Sequence, residues 1–211
     1  MHHAAHYRWL VLTRHLRAEM APTSVLDVGC DDGYLLSRIN ARLKVGIDIA
    51  PPPLDKQHSP VIRADALHLP FKAGSFDTVL ALDVLEHVHD DEALLTELIE
   101  AVADGGRAYL SVPSQDFVIL PRLMTRRAER GWGHVRRGYS LEELEGKLPA
   151  NVQATATYWN EPFFRAACVP LRVASRLMPG VARRVAAFCA WLDNLVRQGS
   201  AGHIYLEIRK R

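Results

Sequence analysis

The sequence contains few cysteines and no long apolar run. Its 211 residues include three cysteines, Cys30, Cys168 and Cys189, and no pair has zinc-ligand spacing. Scarce cysteine is typical of a reducing compartment. No run of 18 apolar residues is free of charge, and the amino terminus lacks the apolar stretch of a signal peptide. These absences predict a cytoplasmic protein without a membrane span.

No metal site is predicted from the sequence. The amino-terminal histidines His2, His3 and His6 are more simply explained as solvated side chains at a chain start than as metal ligands.

The net charge is also small, at +2, and 48% of the residues are hydrophobic. A disordered protein would be poorer in apolar residues, and a nucleic-acid binder would usually carry a larger positive excess. The charge is nevertheless uneven. Residues 1–110 hold 10 basic and 16 acidic residues, whereas residues 111–211 hold 16 and 8. This asymmetry favours a cationic or hydroxyl-rich ligand for the first half and an anionic partner for the second, unless the charges merely cancel across the surface.

Short apolar runs alternate with helical patterns along the chain. Strands are predicted at 24–29, 44–49, 61–64, 75–82, 107–112, 152–159 and 203–208, and helices within 1–22 and at 34–43 and 90–103. This order predicts a doubly wound α/β fold, whose ligands bind beyond the carboxyl ends of the strands.

Acidic residues end or follow the first three predicted strands. Asp27 precedes the Gly29 turn, Asp48 ends the second strand and Asp65 follows the third. Strands buried on both faces favour uninterrupted apolar residues, so these carboxylates indicate ligand contacts rather than core packing.

The first turn, from Gly29 to Gly33, distinguishes between two nucleotide-like ligands. It lacks the GxGxxG spacing of a dinucleotide site, and its two carboxylates, Asp31 and Asp32, would oppose a pyrophosphate. A ligand with an amino group and a sulfonium would tolerate them. Asp48, 19 residues after Gly29, suits the ribose hydroxyls of either ligand.

Five segments in order resemble motifs of one known family. Residues 25–33, 45–48 and 63–66 resemble the cofactor motifs of class I methyltransferases that depend on S-adenosylmethionine, and residues 69–71 and 75–88 resemble the fourth-strand region of their type 11 subgroup. The resemblance covers about residues 24–112. It implies a Rossmann-like seven-stranded sheet with an antiparallel last strand, S-adenosylmethionine as cofactor, and methyl transfer as the activity.

The resemblance implies contacts to the methionine part of the cofactor. The turn Gly29, Cys30, Asp31 and Gly33 would approach this part, Asp27 would help to hold its amino group, and Asp83 would lie near the sulfonium. The family usually has glycine at the position of Asp31. Aspartate adopts left-handed backbone geometry better than most residues, so the turn is expected to persist. The alternative is a non-catalytic, methyltransferase-like binding or regulatory subunit.

The resemblance also implies contacts to the adenosine part. Asp48 would accept both ribose hydroxyls, and Ile49 would pack on the adenine. Asp65 would accept the adenine amino group, and the backbone of Ala66 would support that edge. Asp77 faces away in the family pattern and is expected to cap a turn.

Two histidines are candidates for the catalytic or acceptor-contacting group. His87 follows the fourth strand, and His134 lies in a loop ahead of a helix whose start is marked by the capping box Ser140 and Glu143. A structural role is the competing interpretation for each. Around His134, residues 117–137 form the strongest basic run, with Arg122, Arg126, Arg127, Arg130, Arg136 and Arg137.

About forty extra residues separate the last two predicted strands. They break at Pro179-Gly180 into two basic amphipathic helical pieces, with Arg172 and Arg176 in the first and with Arg183, Arg184 and Arg197 beside an apolar stripe in the second. Three interpretations stand: a cap on the sheet, a lid or homodimer face, or a surface that rests on anionic lipid.

Together these patterns predict a single domain over 1–211. Its parts are an amino-terminal helix at 1–22, a cofactor-binding half at 23–112, an acceptor-side segment at 113–160, a helical insertion at 161–202 and a last strand at 203–211. The predicted reaction is methyl transfer to a small-molecule or lipid-like acceptor that carries a negative group, with nucleic acid disfavoured and peripheral contact with a membrane left open.

Overall fold

The computed structural model describes residues 3–15, 22–118, 125, 131–196, 199 and 202–210. Five of the predicted cationic residues, Arg122, Arg126, Arg127, Arg130 and Arg197, lie outside the described residues, as does His2.

Seven strands form one sheet in the order β3-β2-β1-β4-β5-β7-β6. The strands are β1 (Ser24–Val28), β2 (Leu43–Asp48), β3 (Val61–Arg63), β4 (Phe76–Leu82), β5 (Val102–Pro113), β6 (Val152–Trp159) and β7 (His203–Lys210). The pairs among β1 to β5 are parallel, whereas β7 runs antiparallel to both β5 and β6. The predicted α/β class and the antiparallel last strand are confirmed.

Five helices with bounds inside the described ranges accompany the sheet: α1 (His3–His15), α2 (Asp91–Ala101), α3 (Leu141–Lys147), α4 (Pro162–Leu177) and α5 (Pro179–Leu195). The Asp90 side chain caps α2 by accepting the Ala93 N–H at 2.9 Å, and Ser140 caps α3 by accepting the Glu143 N–H at 3.1 Å. The insertion between β6 and β7 breaks at Pro179, as predicted.

The helix predicted at 34–43 is wrong, because this segment holds only a short 3-10 turn at Leu36–Arg38. The hydroxyl of Ser37 donates to the Tyr34 carbonyl at 2.6 Å and competes for a helical acceptor. Leu43 has helical spacing to Ile39, but its N–H donates to the Thr23 carbonyl at 2.9 Å and it begins β2.

Strand β5 begins five residues earlier than the predicted 107, directly after α2. Gly105 and Gly106, which separate the predicted helix 90–103 from the predicted strand 107–112, lie in β5, where the pairing with β4 shifts register between Phe76 and Thr78. A Cβ on Gly106 would lie 2.8 Å from the Asp77 carbonyl oxygen. Glycine therefore permits the close approach of the two strands.

Helix α1 packs against the insertion through a buried polar network. The Tyr7 hydroxyl donates to Asp193 at 2.9 Å and accepts from the Trp159 indole at 3.0 Å. Asp193 also accepts the N–H groups of Phe163 and Phe164, so a side chain of α5 caps the start of α4. This network holds α1 and the insertion together beside the cavity described below.

Within the described part of the chain, none of the helices combines the length and apolar character that a membrane crossing requires.

Candidate functional site

A cavity of about 560 Å³ lies beyond the carboxyl ends of β1 and β4. Its wall combines the turn after β1, the segment after β4, residues 131–134, and side chains from α1 and α4. Predicted site residues that line it are Asp27, Gly29, Cys30, Asp31, Asp83, His87 and His134. The predicted residues Gly33, Asp48, Ile49, Asp65 and Ala66 lie outside this wall. The fold therefore joins the predicted methionine contacts to both candidate histidines.

The turn after β1 forms at the glycine that the sequence places there. Gly29 has φ +71°, and its N–H and that of Cys30 both donate to the Ile47 carbonyl, at 2.9 and 3.1 Å. A Cβ on Gly29 would lie 2.7 Å from a Val84 methyl, so only glycine keeps this cradle open. Asp31 has φ +52°, which confirms that aspartate preserves the left-handed turn.

Asp48 is fixed next to this turn by two backbone donors. Its Oδ2 accepts the Asp31 N–H at 3.0 Å, and its Oδ1 accepts the Ala50 N–H at 2.9 Å. The carboxylate is half-buried, and Ile49 beside it is 68% exposed. A carboxylate oriented this way has lone pairs left for two hydroxyl donors.

The residues predicted at the adenine edge lie on an open surface. Asp65 is exposed, and its Oδ1 accepts the Leu67 N–H at 2.9 Å, while Ala66 packs on the main core. Asp77 accepts the N–H groups of Thr23 and Ser24, both at 3.0 Å, and thus has the predicted capping role. Asp27, the 29–33 turn, Asp48 and Asp65 are called the donor end below.

Asp27 and Asp32 are the two buried carboxyl side chains of the donor end that line the cavity, and Asp27 is the more deeply buried, at 4% exposure. Burial raises its pKa to about 7, the charge of Asp48 adds to the rise, and Arg8 opposes it. A cationic ligand group beside Asp27 would therefore stabilise its ionised form.

The opposite part of the cavity holds charged groups brought together from distant parts of the chain. Arg8 forms an ion pair with Asp83, whose other oxygen accepts the Ser111 hydroxyl at 2.6 Å. His203 contacts Glu161 through Nδ1 and lies 3.6 Å from Asp83 Oδ1 through Nε2. Together with Glu86 and His134, the residues Arg8, Asp83, Glu161 and His203 are called the acceptor end below.

Opposite charges decide the protonation of this network. Burial disfavours the charged form of His203, but Glu161 and Asp83 outweigh it and raise its pKa to about 9. Burial likewise opposes ionisation of Asp83, yet Arg8 and His203 hold its pKa below the ordinary value. The network therefore holds a protonated His203 between two carboxylates at neutral pH.

Glu86 is buried beside this network, with 1% of its surface exposed. Burial raises its pKa to about 8, and Asp83 adds to the rise. Its Oε2 atom is buried and has no hydrogen-bond partner among the described residues. A buried polar atom without a hydrogen-bond partner, at the wall of a cavity, is a candidate contact for a bound ligand.

His134 and His87 lie side by side at the acceptor end. Their ring centroids are 4.8 Å apart, nearly perpendicular, and His87 Nδ1 lies 3.3 Å from the Gly133 carbonyl oxygen. Burial, with help from His87, lowers the pKa of His134 to about 4, so its imidazole is neutral. Its Nδ1 is buried and unpartnered among the described residues.

The insertion supplies apolar and cationic groups to the wall. Phe164, Cys168 and Arg172 of α4 line the cavity, as does buried Arg165, which donates to the Val118 carbonyl at 2.9 Å. Arg136 of the predicted basic run is instead structural, because it pairs with Asp91 and with Glu143.

The sequence patterns assigned no role to Arg8, Glu161 or His203, nor to Glu86 within the segment 75–88. Arg8 and His203 are 195 residues apart and belong to no motif. One signal was available for Glu86, since an acidic residue follows the apolar strand 76–82 close to Asp83. No local signal marks Glu161 as the partner of His203.

Comparison with known proteins matches this architecture. A family model described as a methyltransferase domain matches residues 1–155. A ubiquinone biosynthesis O-methyltransferase of Xanthomonas euvesicatoria is 37% identical over 111 residues, which cover 45% of this chain and 45% of that protein. A tRNA U34 carboxymethyltransferase of Sulfurimonas denitrificans is 28% identical over 167 residues, which cover 65% and 55%.

The fold matches a solved structure over nearly its whole length. A SAM-dependent methyltransferase of Thermotoga maritima superposes with a TM-score of 0.63 at 16% identity, covering 98% of this chain and 92% of that one. The chain spans from about a fifth to just over half of the length of the curated relatives it matches. Because the family model covers well over half of the chain, the predicted resemblance is confirmed: the chain belongs to the methyltransferase domain family, within the class I S-adenosylmethionine-dependent fold.

Proposed function

We propose that this chain transfers the methyl group of S-adenosylmethionine to a small or lipid-like acceptor that carries a negative charge. The observation that carries the proposal is one cavity that joins the glycine turn to an apolar wall bearing Arg172. When bound, S-adenosylmethionine supplies a sulfonium methyl group that is transferred by in-line displacement. The chain contributes mainly position and exclusion of water.

The donor end fits this cofactor. The cradle at Gly29 would be filled by a Cβ, and the buried Asp27 offers a carboxyl whose ionised form a cationic amino group would stabilise. We assign the ribose hydroxyls to Asp48 and the adenine edge to Ile49, Asp65 and Ala66. The exposed positions of Ile49 and Asp65 are compatible with an adenine bound at the surface, beside the half-buried Ala66.

The acceptor end favours an anionic acceptor. Arg172 is exposed at the cavity wall, and Arg165 lies deeper in the same wall. His134 has a pKa of about 4 and is too weak a base to remove a proton efficiently near pH 7. We therefore propose that His134 contacts the acceptor rather than acts as a general base, with His87 beside it.

Cofactor binding and methyl transfer distinguish the enzyme from the non-catalytic alternative. We expect micromolar S-adenosylmethionine affinity by calorimetry, and transfer of labelled methyl from it to a fraction of a metabolite or lipid extract that is retained on an anion exchanger. Total tRNA is included because one relative is named for tRNA. No binding at millimolar cofactor contradicts the proposal, binding without transfer supports the regulatory subunit, and labelled tRNA overturns the small-acceptor assignment.

Two arginines of α4 provide a matched test of acceptor charge. Arg172 lines the cavity, whereas Arg176, one turn further along the same helix, is exposed and lies outside the wall. Arg172→Gln is expected to raise the KM for the anionic acceptor about tenfold, the order of one charge-assisted hydrogen bond. With a soluble anionic acceptor, Arg176→Gln should leave KM unchanged, and equal effects of both substitutions would remove Arg172 from the acceptor site.

An exposed apolar face on the insertion supports delivery of a lipid-like acceptor. The predicted stripe of α5 does not face the core: the buried side carries Ala182, Ala186, Cys189 and Ala190. The large side chains point outward and form, with the end of α4, the outer face of the insertion, made of Val173, Leu177, Met178, Val181, Phe188, Trp191 and Leu195. Arg176, Arg183 and Arg184 lie on the same two helices and favour an anionic lipid surface.

Vesicle sedimentation tests this surface. The chain is expected to pellet with vesicles of anionic phospholipid and to stay in solution with zwitterionic ones, and Phe188→Ser together with Trp191→Ser should abolish pelleting. Equal recovery in the supernatant with and without anionic vesicles contradicts lipid binding. A concentration-dependent dimer that the same two substitutions disrupt assigns the face to a second copy of the chain.

A further inference from the structure

Three side chains at the acceptor end form a compact set of metal-ligating groups. Glu86, His87 and His134 each offer one ligand atom, and these atoms all lie within 4.8 Å of one another. Ligand atoms around tetrahedral zinc lie about 3.4 Å apart, given Zn–N distances of about 2.0 to 2.1 Å. The set therefore needs to contract by about 1.4 Å at most on binding the ion.

Two buried atoms of this set have lone pairs but no partner. Glu86 Oε2 and His134 Nδ1 are both buried without a hydrogen bond among the described residues. Glu86 is 1% exposed, so bulk water does not reach it freely. An unpaired carboxylate oxygen in such a place is costly, and a cation that accepts both lone pairs removes the cost.

Neighbouring groups hold the three side chains in a ligating arrangement. The carbonyl of Gly133 only accepts, so its 3.3 Å contact places the proton on His87 Nδ1 and leaves a lone pair on Nε2. Metal-bound histidines commonly donate their other N–H to a carbonyl in this way. The Val135 N–H donates to the Glu86 carbonyl at 2.9 Å and fixes the His134 loop beside Glu86.

We propose that Glu86, His87 and His134 bind one divalent transition-metal ion at the acceptor end of the cavity. Two imidazoles and one carboxylate suit Zn²⁺, Mn²⁺, Fe²⁺ or Co²⁺ and leave coordination positions open toward the cavity.

The role of the ion rests on the proposed function. An acceptor hydroxyl that binds an open position loses its proton to water, because the cation stabilises the oxyanion, and no electrons are gained or lost. The site then selects acceptors that present a hydroxyl oxygen, which assigns O-methylation to this chain and makes a histidine base unnecessary.

Titration with Co²⁺ tests the ion site without any methyl-transfer assay. The full chain is freed of metal with a chelator, and His2→Asn with His3→Asn is the parent, because amino-terminal histidines also bind metal. We expect one Co²⁺ per chain, visible ligand-field absorption, and a metal-dependent rise in thermal midpoint. Glu86→Gln and His134→Gln are each expected to weaken Co²⁺ binding at least about tenfold.

A matched control and a folding control complete the test. His89→Gln changes a nearby exposed histidine outside the cavity wall and should leave the titration unchanged. Glu86→Gln removes a buried carboxyl with an unpaired oxygen, so the metal-free variant should unfold no earlier than its parent. The proposal is overturned if the parent binds no Co²⁺ or if both variants bind it as the parent does. S-adenosylmethionine binding to the metal-free chain, measured by calorimetry, reports separately on the proposed function.

Discussion

The two ends of the cavity are assembled in different ways. The donor end comes from one stretch, residues 27–65, and its carboxylates are mostly half-buried or exposed and held by backbone N–H groups. The acceptor end combines residues from 8 to 203, most of them buried and held by one another. Changes at the donor end should therefore alter ligand binding with little effect on folding, whereas changes at the acceptor end should alter stability as well.

The largest effect is expected from His203. His203→Gln removes the cation between Glu161 and Asp83, whose side chains are 2% and 9% exposed. We expect the free energy of unfolding to fall by about 3 kcal/mol in urea denaturation, since a broken buried ion pair leaves uncompensated charge. The donor end offers a matched pair, His58 and Asp32, at 3.5 Å with His58 38% exposed. His58→Gln should cost less than about 1 kcal/mol, and equal losses would refute the contrast.

Because of His203, the free energy of unfolding is expected to fall at alkaline pH. The pKa of folded His203 is about 9, above its unfolded value of 6.5, because Glu161 and Asp83 outweigh burial and the repulsion from Arg8. Its stabilisation is complete below pH 6.5 and is lost as the pH rises through 9. Between pH 6.5 and 9.5, the wild type should lose about 2 to 3 kcal/mol more than His203→Gln, measured by denaturation at each pH. Parallel profiles would show that His203 is neutral in the folded chain.

At the donor end, a change at Asp48 is expected to weaken cofactor binding more than it weakens folding stability. Asp48→Asn keeps one acceptor for the Asp31 or Ala50 N–H but loses the charge that suits two ribose hydroxyls. The Kd for S-adenosylmethionine should rise roughly 10- to 100-fold, equivalent to about 1.5 to 3 kcal/mol, while the unfolding free energy changes by less than about 1 kcal/mol. Calorimetry and urea denaturation on the same preparation give both numbers. A larger loss of stability than of affinity would place Asp48 with the structural residues.

The sequence predicted the residues that are close neighbours along the chain. Asp27, the glycine turn and Asp48 follow strand ends, and parallel strands bring their carboxyl ends to one edge, so local patterns sufficed. The pairing of Arg8 with Asp83 depends on α1 packing against the insertion through Tyr7 and Asp193, which no local pattern contains.

Two other features show how tertiary packing acts on a local pattern. Leu43 has helical spacing to Ile39, but its backbone pairs with β1 and the predicted helix does not form. The apolar stripe predicted in the second helical piece lies on the outer side of α5, because small residues such as Ala186 and Ala190 pack against the core and Phe188 stays exposed. In both cases tertiary packing overrides a correct periodicity.

The smallest effect, and the most direct test of the donor end alone, is expected from Asp31→Gly. Asp31 has φ +52°, a conformation that costs a non-glycine residue energy but that aspartate tolerates better than most. Glycine, the usual residue of the family at this position, relieves that cost but gains entropy in the unfolded chain, so the unfolding free energy should change by less than about 1 kcal/mol. The hydrogen bond from the Asp31 N–H to the Asp48 carboxylate involves the backbone of residue 31 and survives the change, so the Kd for S-adenosylmethionine should stay within about threefold.

Asp31→Ala is the control variant. Alanine has a Cβ but no polar group to favour positive φ, so this variant should be less stable in denaturation than both the wild type and Asp31→Gly. Loss of cofactor binding in Asp31→Gly would show that the Asp31 carboxylate itself contacts the ligand. Binding at the donor end would then depend on the charge of this side chain, whereas the geometry indicates a contribution from its backbone.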